Sequence, residues 1–487
     1  MSSTTKPERR SAGRTFFGQP FELSTPFAVE LWERFSFYGM QGIVLLYMYY
    51  SVTRGGLGID EGLAKGIMGA YGGSVYLFTI IGAWVADRLI GADRTLFGSA
   101  VVVMLGHIAL ALVPGVAGIG VGLVLIALGS GGLKATATTI VGSLYTRDDP
   151  RRDAGFSLYY LGVNLGGFAG PLLTGLLQST LGFHYGFGLA AVGMAAGLVQ
   201  YAIRRRKLPD AVQHVTNPLP RSRYPLVVVV AVVAVVAVAV AVLTGLLNVS
   251  TLPVVVVAVV VVATIAYFVV ILSSGLTSDE RSRVFAFIPL FIGSAVFWSL
   301  YQQQFTVVTV YADQRLDRDL FGFPMPVSWV QSINPIMIIA LSGLFAALWT
   351  RLGDRQPSTP TKFGLGTGIM GVAFLLFLPF VGTGENGTPL LALVGILLVF
   401  TVAELLLSPS GQSVATKLAP SKFQTQMVAL FFLSVSLGTA LTGVLSRYYD
   451  PENEAPYFTV LGLVAVVVGV VLLVIARPVL RLMRGIR

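Results

Sequence analysis

Cysteine is absent from the 487 residues, which removes disulfides, thiolate metal centres and cysteine nucleophiles. Histidine occurs three times, at His107, His184 and His214, in none of the spacings that hold metals. Charge is scarce: 11% of residues are Asp, Glu, Lys or Arg, against about 25% in soluble domains. No nucleophile–base pair or metal set stands out, so neither an enzyme nor a cofactor is expected. With 55% of its residues hydrophobic, the chain could not cover its own surface in water.

Apolar runs recur instead, each about 20 residues long, the length that crosses a bilayer core. Fourteen spans can be placed, at 25–52, 63–88, 95–114, 118–145, 153–178, 183–204, 224–247, 252–273, 283–312, 328–350, 362–382, 388–414, 422–446 and 456–477. The expectation is an all-α membrane protein. The first run follows Lys6, Arg9, Arg10 and Arg14 but is too long for a signal segment and lacks a small-residue cleavage site, so it is read as a retained helix. An even number of spans puts both ends on one side. That side gathers 26 of the 33 Lys and Arg residues, including Arg147, Arg204, Arg205, Arg206, Lys207 and Arg487. The other side carries only Arg54, Lys65, Arg315, Arg318 and Arg447. Basic residues collect in cytoplasmic loops, so both termini are expected in the cytoplasm. The same distribution accounts for the net charge of +10 without nucleic acid, because the charges lie in scattered loops rather than one patch.

Residues 226–242 and 254–263 are nearly pure Val and Ala and offer no ionisable group, which predicts a peripheral, lipid-facing hairpin. Removing it leaves six helices in each half. Asp87-Arg88, in GAWVADRLIGADR, and Asp354-Arg355, in LWTRLGDRQ, fall at matching places in the two halves. Two similar six-helix bundles with a site between them are the plan of the major facilitator fold. The expected division is a cytoplasmic tail 1–24, a bundle 25–206, a linker with two additional helices 207–280, a second bundle 281–478 and a tail 479–487.

Ionisable groups well inside the spans are few: Glu30, Glu33, Arg34, Lys134 and Glu404. Facing lipid, each would cost ~2.5–3.5 kcal/mol. Glu30, Glu33, Arg34, Phe37, Tyr38 and Gln41 share one helix face. Further polar faces carry Lys134 with Thr138, Tyr160 with Asn164, Trp298 with Gln302 and Thr306, and Thr401 with Glu404, Ser408 and Gln412; Asn334 and Tyr76 add isolated polar groups. Such a set suits a zwitterion, with Glu404 for an ammonium group and Arg34 or Lys134 for a carboxylate. Buried carboxylates beside cations can also gain and lose a proton, which nominates Glu30 and Glu33.

These residues carry a resemblance. The run from Glu30 to Gly39, ELWERFSFYG, resembles the ExxERFxYYG motif of the proton-dependent oligopeptide transporter family. GAWVADRLIGADR, GLKATATTIVGSLY from Gly132, DAGFSLYYLGVNLGGFAGP over 153–171 and AELLLSPSGQSVATKLAP from Ala403 resemble four further family segments. The resemblance implies proton coupling and carboxylate binding by Glu30, Glu33, Arg34 and Lys134. It implies that Glu404 holds the peptide amino group, and that Tyr38, Tyr76, Asn164, Trp298 and Asn334 line the pocket. It further implies import of di- and tripeptides, protons as the coupling ion, no other cofactor, a bacterial cytoplasmic membrane and a monomer. Four positions depart from the family. Phe37 stands for the first tyrosine of the YY pair and Phe431 for a common tryptophan. Gln41 and Gln302 replace an arginine and a glutamate that in relatives can pair as an outer gate. Losing both charges together avoids an unpaired buried ion, and the two glutamines are expected to approach or share water. The departures leave open a family member with another cargo, such as nitrate or a small organic solute. A proton-antiport drug exporter and a non-transporting receptor are the other readings.

Overall fold

The structure, a computed structural model, describes residues 15–146, 149 and 151–486. Of the charged residues named above, Lys6, Arg9, Arg10, Arg14, Arg147 and Arg487 lie outside the described residues, as does the side chain of Asp354. Among the described residues thirteen helices are long and apolar enough to cross a membrane. A further helix, α1 (Ser24–Tyr49), brings the number to fourteen; its polar stripe sets it apart. The first half continues with α2 (Glu61–Val85), α3 (Ala92–Leu112), α4 (Gly115–Ser143), α5 (Arg152–Leu181) and α6 (Phe183–Arg204). Then come α7 (Tyr224–Leu243) and α8 (Leu252–Ser273). The second half comprises α9 (Ser278–Tyr301), α10 (Ile333–Leu352), α11 (Thr359–Leu375), α12 (Leu390–Leu418), α13 (Gln424–Leu445) and α14 (Glu454–Val474). We call the side where α1 begins and α14 ends the near side, and its opposite the far side.

Within the first half α1 packs on α5 and α6, and α3 on α4 and α6; within the second, α11 packs on α12 and α14, and α9 on α13. The halves meet where α2 lies on α13 and α5 on α10. Without water to drive helices together, close backbone approach by small residues holds them. A Cβ on Gly69 would fall 2.1 Å from the Gly443 nitrogen, and one on Gly170 2.3 Å from the Phe35 carbonyl oxygen. The second contact fixes α1 against α5 and with it the depth of Arg34.

Two expectations need correction. The Val/Ala segments do not form one lipid-facing hairpin: α7 has no buried residue, whereas α8 buries Val256, Val260, Thr264 and Ile271 against α2 and α13. Their spacing puts these residues on one helix face, a regularity hidden in a run where nearly every position is apolar and only Thr264 stands out near its middle. Second, the face shared by Trp298, Gln302 and Thr306 is interrupted. Helix α9 gives way to a 3-10 turn over Gln302–Phe305, Thr306 leaves helical geometry, and Val307–Gln314 resumes the helix. The segments flanking the two bundles carry short elements of their own. Strands β1 (Thr15–Phe16) and β2 (Gln19–Pro20) pair before α1, and Ala476–Leu482 is helical, its Leu482 carbonyl accepting from Ser282 Oγ at 2.9 Å. The two Asp-Arg pairs fall in near-side connections between α2 and α3 and between α10 and α11.

The two sides differ. On the far side Tyr49 and Tyr50 donate to the two carboxylate oxygens of Asp313 at 2.6 and 2.7 Å, and Gln314 donates to Glu61 at 2.9 Å. Ser328 and Trp329 donate to the carbonyls of Pro171 and Leu172, each at 3.0 Å. Every one of these bonds joins one half to the other. On the near side a cavity of about 640 Å³ separates the halves, with Thr139 and Ser143 of α4 facing Thr416 of α12 and Gln424 of α13.

Candidate functional site

A central cavity of about 290 Å³ lies between the halves. Glu30, Arg34 and Tyr38 of α1 reach it, as do Tyr76 of α2, Lys134 of α4, Asn164 of α5, Trp298 of α9, Asn334 of α10, Glu404 of α12 and Phe431 of α13. Ten of the fourteen nominated residues therefore share one space. The i, i+4, i+8 run Glu30, Arg34, Tyr38 is the wall contributed by α1; Glu33, Phe37 and Gln41 turn from it toward α4 and α2.

The cations and acids of the first half are arranged unequally. Arg34 donates from Nε to Glu30 Oε1 at 2.8 Å, with Nη2 at 2.6 Å from the same oxygen, and its Nε lies 3.4 Å from Glu33 Oε2. Glu33 is fully buried and accepts from Ser130 Oγ at 3.0 Å on Oε1. Lys134 forms no ion pair among the described residues; its Nζ sits 4.7 Å from the centre of the Phe37 ring and 6.0 Å from that of Tyr76. A phenyl face attracts an ammonium group through its quadrupole, so Phe37 keeps a contact with the lysine although it lacks the hydroxyl. One cation is thus committed to carboxylates while the other faces the cavity unpaired.

In the second half Glu404 stands without a cation among the described residues. Asn334 Nδ2 donates to Glu404 Oε2 at 3.2 Å and to Thr401 Oγ1 at 3.0 Å, while Tyr301 donates to Asn334 Oδ1 at 3.1 Å. This relay locks Asn334 with its amide hydrogens toward the acid. Pro409 interrupts the backbone ladder of α12 just past Glu404. Trp298 Nε1 is buried without a partner among the described residues. Tyr38 stacks on Phe305, centroids 5.8 Å apart.

Gln41 and Gln302 both line a chamber of about 70 Å³ that adjoins the central cavity on its far-side flank and shares with it Tyr38, Tyr76, Trp298 and Glu404. Gln302 donates to Thr439 Oγ1 at 3.2 Å, and Gln41 Oε1 has no partner among the described residues. Sequence reasoning missed Ser130, though it stands one helical turn before Lys134 and so on the same face. It also missed Tyr301, three residues after Trp298, and Gln304 and Gln331, which line the cavity. The last two follow from the break in α9 and the 3-10 turn Val327–Ser332 ahead of α10, which no helical spacing anticipates.

A charged chamber between two six-helix bundles, joined on one side and apart on the other, defines a membrane transporter of the major facilitator plan. Residues 93–461 match the model of the POT family (PTR2), and the chain belongs to that family, whose members are transporters and not enzymes. It is 40% identical over 493 residues to the di-/tripeptide transporter of Lactococcus lactis subsp. cremoris, covering 97% of this chain and 98% of the relative. The crystal structure of a peptide transporter POT in complex with sulfate superposes with a TM-score of 0.92 at 44% identity, covering 97% of each chain. A mutant peptide transporter POT in complex with alafosfalin gives a TM-score of 0.91 at 45% identity, again covering 97% of each.

Proposed function

We propose that the protein imports di- and tripeptides together with protons across a bacterial cytoplasmic membrane, by alternating access between bundles 25–206 and 281–478. The observation that carries this reading is the division of charge across one cavity. An unpaired ammonium and a guanidinium come from the first half, and an acid with no cation comes from the second. A ligand with a carboxylate at one end and an ammonium at the other satisfies both halves and draws them together. The substrate class of the Lactococcus relative supports the same assignment.

Proton coupling falls to Glu30, Glu33, Arg34 and Lys134. A proton on Glu33 removes its charge from beside Arg34, and the guanidinium, still held by Glu30 at 2.6 Å, offers its remaining N–H groups to the substrate carboxylate alongside Lys134. Release on the near side returns Arg34 to both glutamates and the proton to water. Substrate contacts are assigned to Arg34, Tyr38, Tyr76, Lys134, Asn164, Trp298, Asn334 and Glu404. Phe37 and Phe431 supply apolar wall, and Gln41 with Gln302 forms a neutral gate. The near side, rich in Lys and Arg, faces the cytoplasm with both termini. The unit is a monomer, with the bilayer, protons and peptides as its partners, no nucleic acid and no further cofactor.

The test is competition in proteoliposomes. Unmodified di- and tripeptides compete for uptake of a labelled dipeptide, and the same dipeptide with an acetylated amino group fails to compete, because Glu404 then meets no ammonium. Equal competition by the acetylated form refutes the assignment.

A further inference from the structure

At the near-side end of the first half, α3 and α6 frame a pocket of about 410 Å³ that is separate from the transport cavity. Its basic groups are Arg94, Arg205 and Arg206. Arg205 lies over the Phe97 ring, 4.5 Å from its centre, and is held by Asp93 through Nε at 3.1 Å and Nη2 at 2.5 Å. Tyr201 also donates to Asp93, at 2.8 Å. That single acid is therefore satisfied. Arg94 and Arg206 are exposed, and neither forms an ion pair or hydrogen bond among the described residues. The pocket keeps a surplus of two positive charges at the level where a helix leaves the hydrocarbon.

Two apolar stripes run down to those arginines. On α6, Val199 and Ile203 are exposed and lie seven and three residues before Arg206. On α3, Val101 and the exposed Leu105 lie seven and eleven residues after Arg94. On α3 these intervals put Val101, Leu105 and Arg94 on one helix face; Arg206 lies in the 3-10 turn Arg205–Lys207 that follows α6 and is placed by the pocket it lines. The helices pack against each other, and both carry exposed apolar residues within a few turns of the pocket's arginines. A guanidinium is the side chain best shaped for phosphate.

We propose that this pocket binds the phosphate headgroup of one acidic phospholipid of the near-side leaflet, with the acyl chains lying along the α3–α6 seam. Charge complementarity selects an anionic headgroup, since a zwitterionic one carries its own cation into an already basic pocket. The seam selects a lipid over free phosphate, which has nothing to place there. Arg205 forms the floor and remains tied to Asp93; Arg94 and Arg206 close on the phosphate.

The test is lipid retention by the full-length protein in detergent, read by native mass spectrometry after exposure to phosphatidylglycerol or phosphatidylcholine. One phosphatidylglycerol is expected to remain bound where phosphatidylcholine is stripped. The double variant Arg94→Gln/Arg206→Gln is expected to lower that retention at least about tenfold. Arg94→Lys/Arg206→Lys preserves the preference in part, and Arg481→Gln, an exposed near-side arginine elsewhere, leaves it unchanged. The variants alter exposed, unpaired side chains, and unfolding midpoints in lipid-free detergent match the parent. Equal retention of the two lipids overturns the proposal, as does a double variant that keeps phosphatidylglycerol or a loss of the same size in Arg481→Gln. Protection from unfolding by inorganic phosphate equal to that by phosphatidylglycerol would assign the pocket to free anions instead.

Discussion

At the scale of single residues, transport turns on which charges are paired before substrate arrives. Glu404 accepts one hydrogen bond from Asn334 and meets no cation among the described residues. Charge-assisted hydrogen bonds contribute about 1.5–3 kcal/mol, so Glu404→Gln should weaken dipeptide binding roughly 10- to 100-fold, measured by inhibition of uptake. An unchanged affinity would remove Glu404 from substrate recognition. Ser130 is a second case. Its hydroxyl holds Glu33 in a fully buried place, so Ser130→Ala should slow gradient-driven uptake about tenfold, whereas Ser130→Thr, which keeps the hydroxyl, should restore most of it. Failure of threonine to rescue would mean that packing rather than the hydrogen bond matters. The charged residues were legible in the sequence because an ionisable group inside an apolar span is too costly to keep facing lipid and must meet a partner or a wet cavity. Their pairing was legible only in part. Helical spacing favours the i, i+4 pair Glu30–Arg34; that Arg34 also lies 3.4 Å from Glu33 while Lys134 rests on Phe37 is seen only in the folded side chains.

Among the elements, α2 and α13 form the tightest junction between the halves, and the far-side hydrogen bonds stand above it. Asp313 receives both tyrosines at the end of α1. Asp313→Ala should therefore loosen the far side. The absence of native cysteine makes this measurable: a single cysteine replacing Gln41 should react several-fold faster with an impermeant thiol reagent from the far side when Asp313 is also replaced. No change in rate would show that other contacts hold the closure. Gly69→Val places side-chain atoms where the Gly443 backbone lies and should abolish uptake. By contrast, Val233→Leu on α7, where no residue is buried, should leave uptake within about twofold, since surface changes away from special features cost little. Existence and approximate extent of thirteen helices were readable from hydropathy; the more polar α1 was legible from its length and from the single face on which its polar groups fall. The break at Gln302–Phe305 was not, because neither proline nor glycine marks it; buried glutamine side chains there form bonds to other helices, such as Gln302 to Thr439 and Gln303 to Tyr457.

For the whole molecule, the arrangement is a lever with its charges near the fulcrum. The halves touch on the far side and separate on the near side, and the substrate cavity lies between. Far-side closure rests on Asp313 with its two tyrosines, on Gln314 with Glu61, on Ser328 and Trp329 with the α5 carbonyls and on the glycine junction, and no ion pair joins the halves among the described residues. Asp87-Arg88 and Asp354-Arg355 both fall in near-side turns, the first π-helical and the second 3-10. The positions of the two intervening helices did not follow from the sequence, since a run of valine offers no contrast between its faces. The most direct test of coupling is accumulation of a labelled dipeptide in proteoliposomes under an imposed pH gradient, acid outside, comparing the parent with Glu33→Gln. The parent should concentrate the dipeptide above its external level only while the gradient lasts; Glu33→Gln should lose that accumulation yet still exchange labelled for unlabelled dipeptide. Accumulation by Glu33→Gln equal to the parent's, or by the parent without a gradient, would contradict a carboxylate-based proton coupling at this site.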